Sequence, residues 1–447
     1  MNGKKYFGTD GIRGLVGAYP MSPDLVLKLG WAIGKILKVK HGKVLIGKDT
    51  RISGYMLESA LEAGLAAAGV DIGLLGPMPT PAVSFLTNKL QADAGIVISA
   101  SHNPYYDNGI KLFANNGQKL SDELELAIEA QLDKPFTTVK PEKVGKAYRA
   151  LAAEQHYLDF CLQNFSGRLS LKGLKIVIDC ANGANYKIAP RLFSQLGATV
   201  DTIAAKPDGL NINLNCGSNN PKALIRKVKN SKADLGIAFD GDGDRVIFVN
   251  HQGQIVDGDD LLFIIAKSYL SSGKRLKGVI GTIMSNLGLE KALSALGLSF
   301  IRTQVGDRHI FQELIKRRWH LGGEASGHII CRNLHTTGDG IIAALKVLEY
   351  MVITGHSLSE LLKPMEKYPQ ILINVPVKKS VNSKKVLSSN KFQKAYKFVE
   401  NKLQGDGRVI IRPSGTEPVM RVMVEGSNKK LINVVAKELE QVILGVI

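Results

Sequence analysis

The segment Ala92-Asp-Ala-Gly-Ile-Val-Ile-Ser99-Ala-Ser101 recurs, ungapped, at Ala233-Asp-Leu-Gly-Ile-Ala-Phe-Asp240-Gly-Asp242. Each copy is an apolar strand that runs into a polar tip, Ser101-His-Asn-Pro104 in one and Asp240-Gly-Asp-Gly-Asp244-Arg245 in the other. One strand unit used twice, with different side chains at its end, constrains the fold more than any compositional figure. Three strand openings extend the pattern: Lys43 to Asp49, Leu174 to Asp179 and Leu276 to Thr282, each ending in a polar or glycine-rich loop. An amphipathic helix follows each, such as Met56 to Ala68, and then another strand, such as Val70 to Leu75 or Ala198 to Ile203. This alternation predicts one α/β plan used three times, on largely parallel sheets. From about Tyr368 the chain changes to alternating strands around a Lys-rich helix, which predicts a smaller α+β domain.

Breaks in the helical patterning at Gly, Pro and polar clusters put the domain limits at 1–152, 153–253, 254–367 and 368–447. A chain of 447 residues can bury several such cores, and 45% hydrophobic with 22% charged residues is ordinary for a soluble globular protein. No apolar run nears the roughly 20 residues that span a bilayer. The opening Met1-Asn-Gly-Lys-Lys-Tyr lacks the apolar core of a secretory leader, so a cytoplasmic protein without a membrane partner is expected. Cys161, Cys180, Cys216 and Cys331 form no CxxC pair, which favours reduced thiols over a zinc site or a disulfide framework. The net charge of +18 raises a basic nucleic-acid-binding protein as an alternative. The basic residues are spread along the chain, however, and the densest clusters, Lys222 to Lys232 and Lys363 to Lys402, are broken by apolar positions as amphipathic helices are. Without an aromatic-interleaved basic stripe, the expected partners are small phosphorylated anions and not nucleic acid.

In open α/β sheets ligands gather at the carboxyl ends of strands, where both tips lie. Ser101 is flanked so that its hydroxyl can stand exposed on a turn; a helix N-cap is the plainer use of Ser before Asn-Pro. Asp240, Asp242 and Asp244 alternate with Gly241 and Gly243, which let the chain turn all three carboxylates inward. Three converging carboxylates repel unless a cation neutralises them, and an all-oxygen set suits Mg²⁺. A calcium EF-hand is excluded, because Arg245 stands where Gly should follow and His251 where the bidentate Glu belongs. No Gly-Lys pair is followed by Ser or Thr, so there is no Walker A loop and ATP-driven kinase chemistry loses support. Gly323-Glu-Ala-Ser-Gly-His328 misses the GxSxG hydrolase elbow by one position. It reads as a loop offering Glu324, Ser326 and His328 to hydroxyls, or as a polar turn between strand and helix. Arg412-Pro-Ser414-Gly415-Thr416-Glu-Pro418, with Arg421 close behind, has the composition of a phosphate nest, a plain turn being the alternative.

Four ordered motifs, SASHNP at 99–104, DGDGDR at 240–245, GEASGH at 323–328 and RPSGTEP at 412–418, resemble those of the α-D-phosphohexomutase superfamily over essentially the whole chain. Within it, Tyr6-Phe-Gly-Thr-Asp-Gly-Ile-Arg-Gly14, the serine loop from Ile98 and Val305-Gly-Asp-Arg308 are most similar to the bacterial phosphoglucosamine mutase family. One departure is Ala325, where that family's sugar loop usually has Gln. The resemblance implies an α/β four-domain architecture, three similar mixed-sheet domains plus a smaller C-terminal α+β domain around a central cleft. It implies an intramolecular phosphotransferase, an isomerase that interconverts glucosamine 6-phosphate and glucosamine 1-phosphate and so feeds UDP-N-acetylglucosamine and cell-wall synthesis. The route would pass through phosphorylated Ser101 and glucosamine 1,6-bisphosphate or a related hexose bisphosphate. One Mg²⁺ per subunit would sit on Asp240, Asp242, Asp244 and Ser101. Arg13, Lys111 and Arg245 would surround the transferring group, with Lys111 or His102 accepting the hydroxyl proton. Glu324, Ser326 and His328 would meet the sugar, and Arg412, Ser414, Gly415, Thr416 and Arg421 the phosphate that is not reacting. A phosphomannomutase or phosphoglucomutase would share these residues and differ in sugar, whereas a metal-dependent phosphatase would release inorganic phosphate. Oligomeric state is left open, a homodimer being one option.

Overall fold

The computed structural model describes residues 3–37, 42–273, 275–377, 383–403, 405–413 and 419–446. Within these, eighteen strands form four sheets. The first holds β1 (Ile12–Leu15), β2 (Lys43–Lys48), β3 (Asp71–Pro77), β4 (Ala94–Ile98), β5 (Asp107–Ala114) and β6 (Ala147–Arg149), in the order β1-β5-β4-β2-β3-β6. The second holds β7 (Lys175–Asp179), β8 (Thr199–Ile203), β9 (Leu235–Phe239), β10 (Val246–Asn250) and β11 (Ile255–Val256), in the order β11-β10-β9-β7-β8. The third holds β12 (Gly278–Thr282), β13 (Ser299–Thr303), β14 (Leu321–Gly323) and β15 (Ile329–Cys331), in the order β13-β12-β14-β15.

All three share one four-strand core. The first strand lies in the middle, the second and third pair with it in parallel on either side, and the fourth returns antiparallel beside the third. The sheets are therefore mixed where alternation of strands and helices suggested largely parallel ones. The reason is connection length: residues 99–106, 240–245 and 324–328 are too short for the crossover of a dozen or more residues that a parallel neighbour needs, so the chain turns straight back. Two readings of the tips are corrected by the same fact. Ser101 does not cap a helix, because β5 follows its turn, and the 324–328 segment joins strand to strand, not strand to helix. The three polar tips are thus one structural position, used three times.

The tips stand on rigid supports. Every residue of β4 and of β9 is buried, as expected of strands covered on both faces. Ile46, Ile96, Ile98, Leu57, Leu61 and Trp31 belong to the apolar cluster under the first sheet. The basic run after Pro221 is the amphipathic helix Lys222–Ser231, with Leu224 and Val228 turned inward. All four cysteines are free and buried. Among the described residues no helix is long and apolar enough to cross a membrane.

The residues fall into two compact units, Met1–Thr282 with Leu298–Leu362, and Ile283–Gly297 with Lys363–Ile447. The three mixed sheets belong to the first unit. The second contains an antiparallel sheet of β16 (Gln370–Pro376), β17 (Gly407–Pro413) and β18 (Val419–Gly426), in the order β16-β18-β17. Its core joins Val409, Val422 and Val424 to Phe392 and Val399 of helix Asn390–Leu403 and to Val435 and Leu439 of helix Lys429–Leu444.

Candidate active site

β4 and β9 bring their tips together. Ser101 sits at a φ of 52° and is 1% exposed. A non-glycine residue keeps a left-handed backbone only where its surroundings hold it there. Ser101 N donates to Ser99 Oγ at 2.9 Å, and its carbonyl accepts from Arg51 Nη2 at 3.0 Å and Asn213 Nδ2 at 2.9 Å. Arg51, fully buried beyond the end of β2, also donates to the carbonyls of Asn103, at 2.8 Å, and Pro104. Its Nε donates to Asp49 Oδ2 at 2.9 Å, and that oxygen accepts from Ser99 Oγ at 2.5 Å. Burial pushes the Asp49 pKa up, with Arg51 and Ser99 acting against the rise. Within this cage the Ser101 hydroxyl donates to Asp240 Oδ2 at 2.7 Å and lies 3.3 Å from His102 Nδ1. Gly241 permits the approach: a Cβ there would stand 2.5 Å from the Ser101 carbonyl oxygen.

Asp240, Asp242 and Asp244 are all buried, and each offers a carboxylate oxygen within 4.8 Å of the other two. Asp242 Oδ2 accepts from Thr80 Oγ1 at 2.6 Å and Lys111 Nζ at 2.8 Å, and Asp240 Oδ1 from the Arg245 amide at 3.1 Å. Asp242 Oδ1 and Asp244 Oδ1 are buried with no hydrogen-bond partner among the described residues. Burial, then Asp244 and Asp242, pushes the Asp240 pKa well above the carboxylate range. At Asp244 burial acts the same way but is outweighed by Lys111, His328 and Arg245, which hold it well below. Two orphaned oxygens in a buried, all-oxygen trio fit a hard divalent cation. Lys111 stands on β5 opposite Val97 of β4. Burial works against its charge, but Asp10, Asp242 and Asp244 keep it an ammonium. Burial, helped by Arg245 and Arg13, lowers His102 to about 4, so its imidazole is neutral at pH 7.

The third tip is stitched to the second. Val246 N donates to Gly327 O at 3.1 Å, Arg245 and His328 form an antiparallel bridge, and a Cβ on Gly327 would lie 2.0 Å from Val246 O. His328 Nδ1 then stands 3.6 Å from Asp244 Oδ2, and its Nε2 3.7 Å from Asp307 Oδ2. Burial opposes protonation, yet Asp244, Asp307 and Glu324 raise its pKa to about 9. Glu324 Oε1 accepts from Gly306 N at 3.0 Å, while Ala325 contributes only its carbonyl, to Gly258 N at 3.0 Å. A cavity of about 460 Å³, ample for a small phosphorylated ligand, is lined by Asp10, Arg13, His102, Arg245, Glu324 and His328 among others. Ser101 and Lys111 touch its lining residues His102 and Asp244 without lining it themselves, and Ser326 does not line it.

Phosphoglucomutase/phosphomannomutase models match the chain in order: alpha/beta/alpha domain I over residues 4–138, domain II over 155–253, domain III over 257–368 and the C-terminal domain over 372–442. The chain is 56% identical over 439 residues to the phosphoglucosamine mutase of Nitrosococcus oceani, covering 98% of this chain and 97% of that one. It is 55% identical over 444 residues to the phosphoglucosamine mutase of Teredinibacter turnerae, covering 98% of each. The chain belongs to the phosphoglucosamine mutase family. Solved structures share the fold: a phosphoglucomutase/phosphomannomutase family protein of Burkholderia thailandensis has a TM-score of 0.82 at 24% identity, covering 98% of this chain and 97% of that one. An Aspergillus fumigatus N-acetylphosphoglucosamine mutase, solved with GlcNAc-6P and magnesium, has a TM-score of 0.68 at 18% identity, covering 99% and 96%.

In this member of the phosphoglucosamine mutase family, sequence reasoning named the tips and missed their supports: Asp49, Arg51, Thr80, Lys119, Asn213 and Asp307. Asp49 and Arg51 follow a strand end, where ligand-holding groups are sought, so position alone could have found them. Thr80 lies at the start of helix Thr80–Lys89 and nothing local marks it. In the second unit, Arg412 of β17 stands directly opposite Arg421 of β18. Ser414, Gly415 and Thr416 lie outside the described residues.

Proposed function

We propose that the protein interconverts glucosamine 6-phosphate and glucosamine 1-phosphate, with Ser101 as the phosphoryl carrier and glucosamine 1,6-bisphosphate, or a related hexose bisphosphate, as intermediate. The observation that carries this reading is the Ser101 hydroxyl 2.7 Å from the first carboxylate of the Asp240 trio, two tips of different sheets made into one site. Phosphorylated Ser101 gives its phosphoryl group to the free hydroxyl of the sugar. The serine O–P bond breaks, a sugar O–P bond forms, and the hydroxyl proton passes to the protein. The bisphosphate turns end for end, and the other phosphoryl group returns to the Ser101 oxygen.

Asp240, Asp242 and Asp244 would hold Mg²⁺, which when bound neutralises negative charge on the phosphoryl oxygens. Arg13, whose Nη1 donates to Ala100 O at 3.3 Å, and Arg245 bring fixed positive charge to the cavity wall. His102, neutral and beside the Ser101 oxygen, would take the proton, whereas Lys111, held as an ammonium on the Asp242 and Asp244 carboxylates, would serve only to give one back. Glu324 and His328 offer an acceptor and a donor to the sugar, and the Glu324 carboxylate suits an ammonium substituent. Arg412 and Arg421, at paired positions of neighbouring strands, bring two guanidinium groups to the same face of the sheet, which suits the phosphate that is not reacting. Free, buried thiols and a phosphosugar substrate support a cytoplasmic enzyme, which would feed UDP-N-acetylglucosamine synthesis.

The test is a comparison of kcat/KM on glucosamine, glucose and mannose 6-phosphates with Mg²⁺ and a hexose bisphosphate primer. The highest value is expected for glucosamine. A higher value for glucose or mannose would overturn the sugar assignment, and inorganic phosphate as the main product would make the protein a phosphatase.

A further inference from the structure

Val305-Gly-Asp-Arg308 has no part in the chemistry above, yet this short segment grips two sides of the cavity. Gly306 N donates to Glu324 Oε1 at 3.0 Å, and Asp307 Oδ2 stands 3.7 Å from His328 Nε2, so it holds both polar ends of the third tip. The φ of Gly306 is 127°, a value side-chain-bearing residues avoid, which lets its amide serve Glu324 while the next residue starts helix Asp307–Arg317. On its other side Asp307 Oδ2 pairs with Lys119 Nζ at 2.6 Å, and Lys119 pairs with Asp10 Oδ1 at 2.7 Å, both beside the sheet that carries Ser101. Arg308 reinforces the grip through Glu125 Oε1 at 2.8 Å, Asp122, and the Leu120 carbonyl at 3.2 Å.

These contacts close a ring of alternating charge. From Asp307 it runs through Lys119 to Asp10, then to Lys111 at 3.2 Å, Asp244 at 3.3 Å, His328 at 3.6 Å and back to Asp307. Its members come from around all three mixed sheets, and Asp307 is the only one, among the described residues, that joins the Lys119 ammonium to the His328 ring. Charges this well shielded, with side chains of Asp307 and Lys119 only 15% and 18% exposed, act as a geometric link and not as a solvated surface pair.

We propose that Asp307 is a positioning residue that sets the register of Glu324 and His328 against Ser101, and through it the sugar preference. The proposal rests on the mutase reading. It is tested with Asp307→Asn, which keeps shape and removes charge, Lys119→Met, which removes the partner, their double variant, and Asp307→Glu. Steady-state kinetics are run on the three hexose 6-phosphates, with phosphoserine content measured as the active fraction. Asp307→Asn is expected to lower kcat/KM on the preferred sugar by about 10²-fold, the cost of a small misplacement. KM should rise, the preference among the three sugars should shrink, Lys119→Met should do the same, the double variant should be no worse than the poorer single, and Asp307→Glu should recover part of the loss. Unchanged kinetics in Asp307→Asn, or a fall in kcat that follows the active fraction with KM and sugar preference intact, would overturn the proposal. The wild-type preference is measured in the same series, so a wrong sugar assignment shows there whatever Asp307→Asn does. A wild type inactive on all three sugars would overturn the mutase reading and this proposal with it.

Discussion

Arg51→Met tests whether the serine loop is held as described. The side chain is fully buried, and its removal takes donors from the carbonyls of Ser101, Asn103 and Pro104 and the only described cation from Asp49. Breaking a buried pair by removing one partner costs about 3–5 kcal/mol, mostly because the survivor is left charged and unsolvated. In a body as large as the first unit that corresponds to a fall of roughly 4–7 °C in unfolding temperature. The pH dependence has a definite sign. The Asp49 pKa is already raised by burial and rises further without Arg51. A carboxyl with a folded pKa above its unfolded one stabilises most when protonated, and that stability is lost as pH climbs through the folded value. The deficit of Arg51→Met should therefore be smaller at pH 5 than at pH 8. Thermal unfolding followed by circular dichroism at both pH values, with phosphoserine content measured alongside, makes the comparison. A variant that unfolds with the wild type at both pH values and phosphorylates fully would refute the cage.

Ser101→Ala should abolish turnover and bound phosphate while leaving the unfolding temperature near that of the wild type, as calorimetry would show. Thr80→Val removes the hydroxyl that holds Asp242, and should raise the Mg²⁺ needed for half-maximal rate by about 10–100-fold, the usual cost of losing an outer-shell partner; an unchanged Mg²⁺ titration would contradict the assignment of Asp242 as a ligand. In metal-free protein, His328 has a pKa raised from 6.5 to about 9, so its stabilisation is complete below 6.5 and lost as pH rises through 9. The wild type should accordingly lose its advantage over His328→Gln between neutral pH and about pH 10, and parallel unfolding profiles would count against the His328–Asp244 contact. Burial raises the thiols of Cys161, Cys180 and Cys216, the last to about 12, so a small thiol reagent should label none of these three quickly without denaturant.

How much of this was legible depended on how much local signal each element carries. β4 and β9 were plain because five consecutive buried residues precede tips of unlike chemistry. The third copy was hidden: β14 is only Leu-Gly-Gly, too short for a period to show, so its tip looked like a loop of its own kind. The antiparallel fourth strand did not show in the periodicity, because alternation of strands and helices does not report which connection is a hairpin, and Ser101 suited a helix cap as well as a turn until β5 was seen to follow. Lys119, in Asn115-Asn-Gly-Gln-Lys119, and Asp307 have nothing around them that announces a partner; only the folded chain brings them to 2.6 Å. The carboxylate trio needed no tertiary information, since its own spacing concentrates the charge.

The most direct measurement is intact and peptide mass spectrometry of the purified protein before and after glucosamine 1-phosphate. The account predicts one phosphate per chain on the peptide containing Ser101, discharged by that sugar with formation of a bisphosphate. A phosphate mapped to any other residue, or a Ser101 phosphate that the sugar leaves in place, would contradict it.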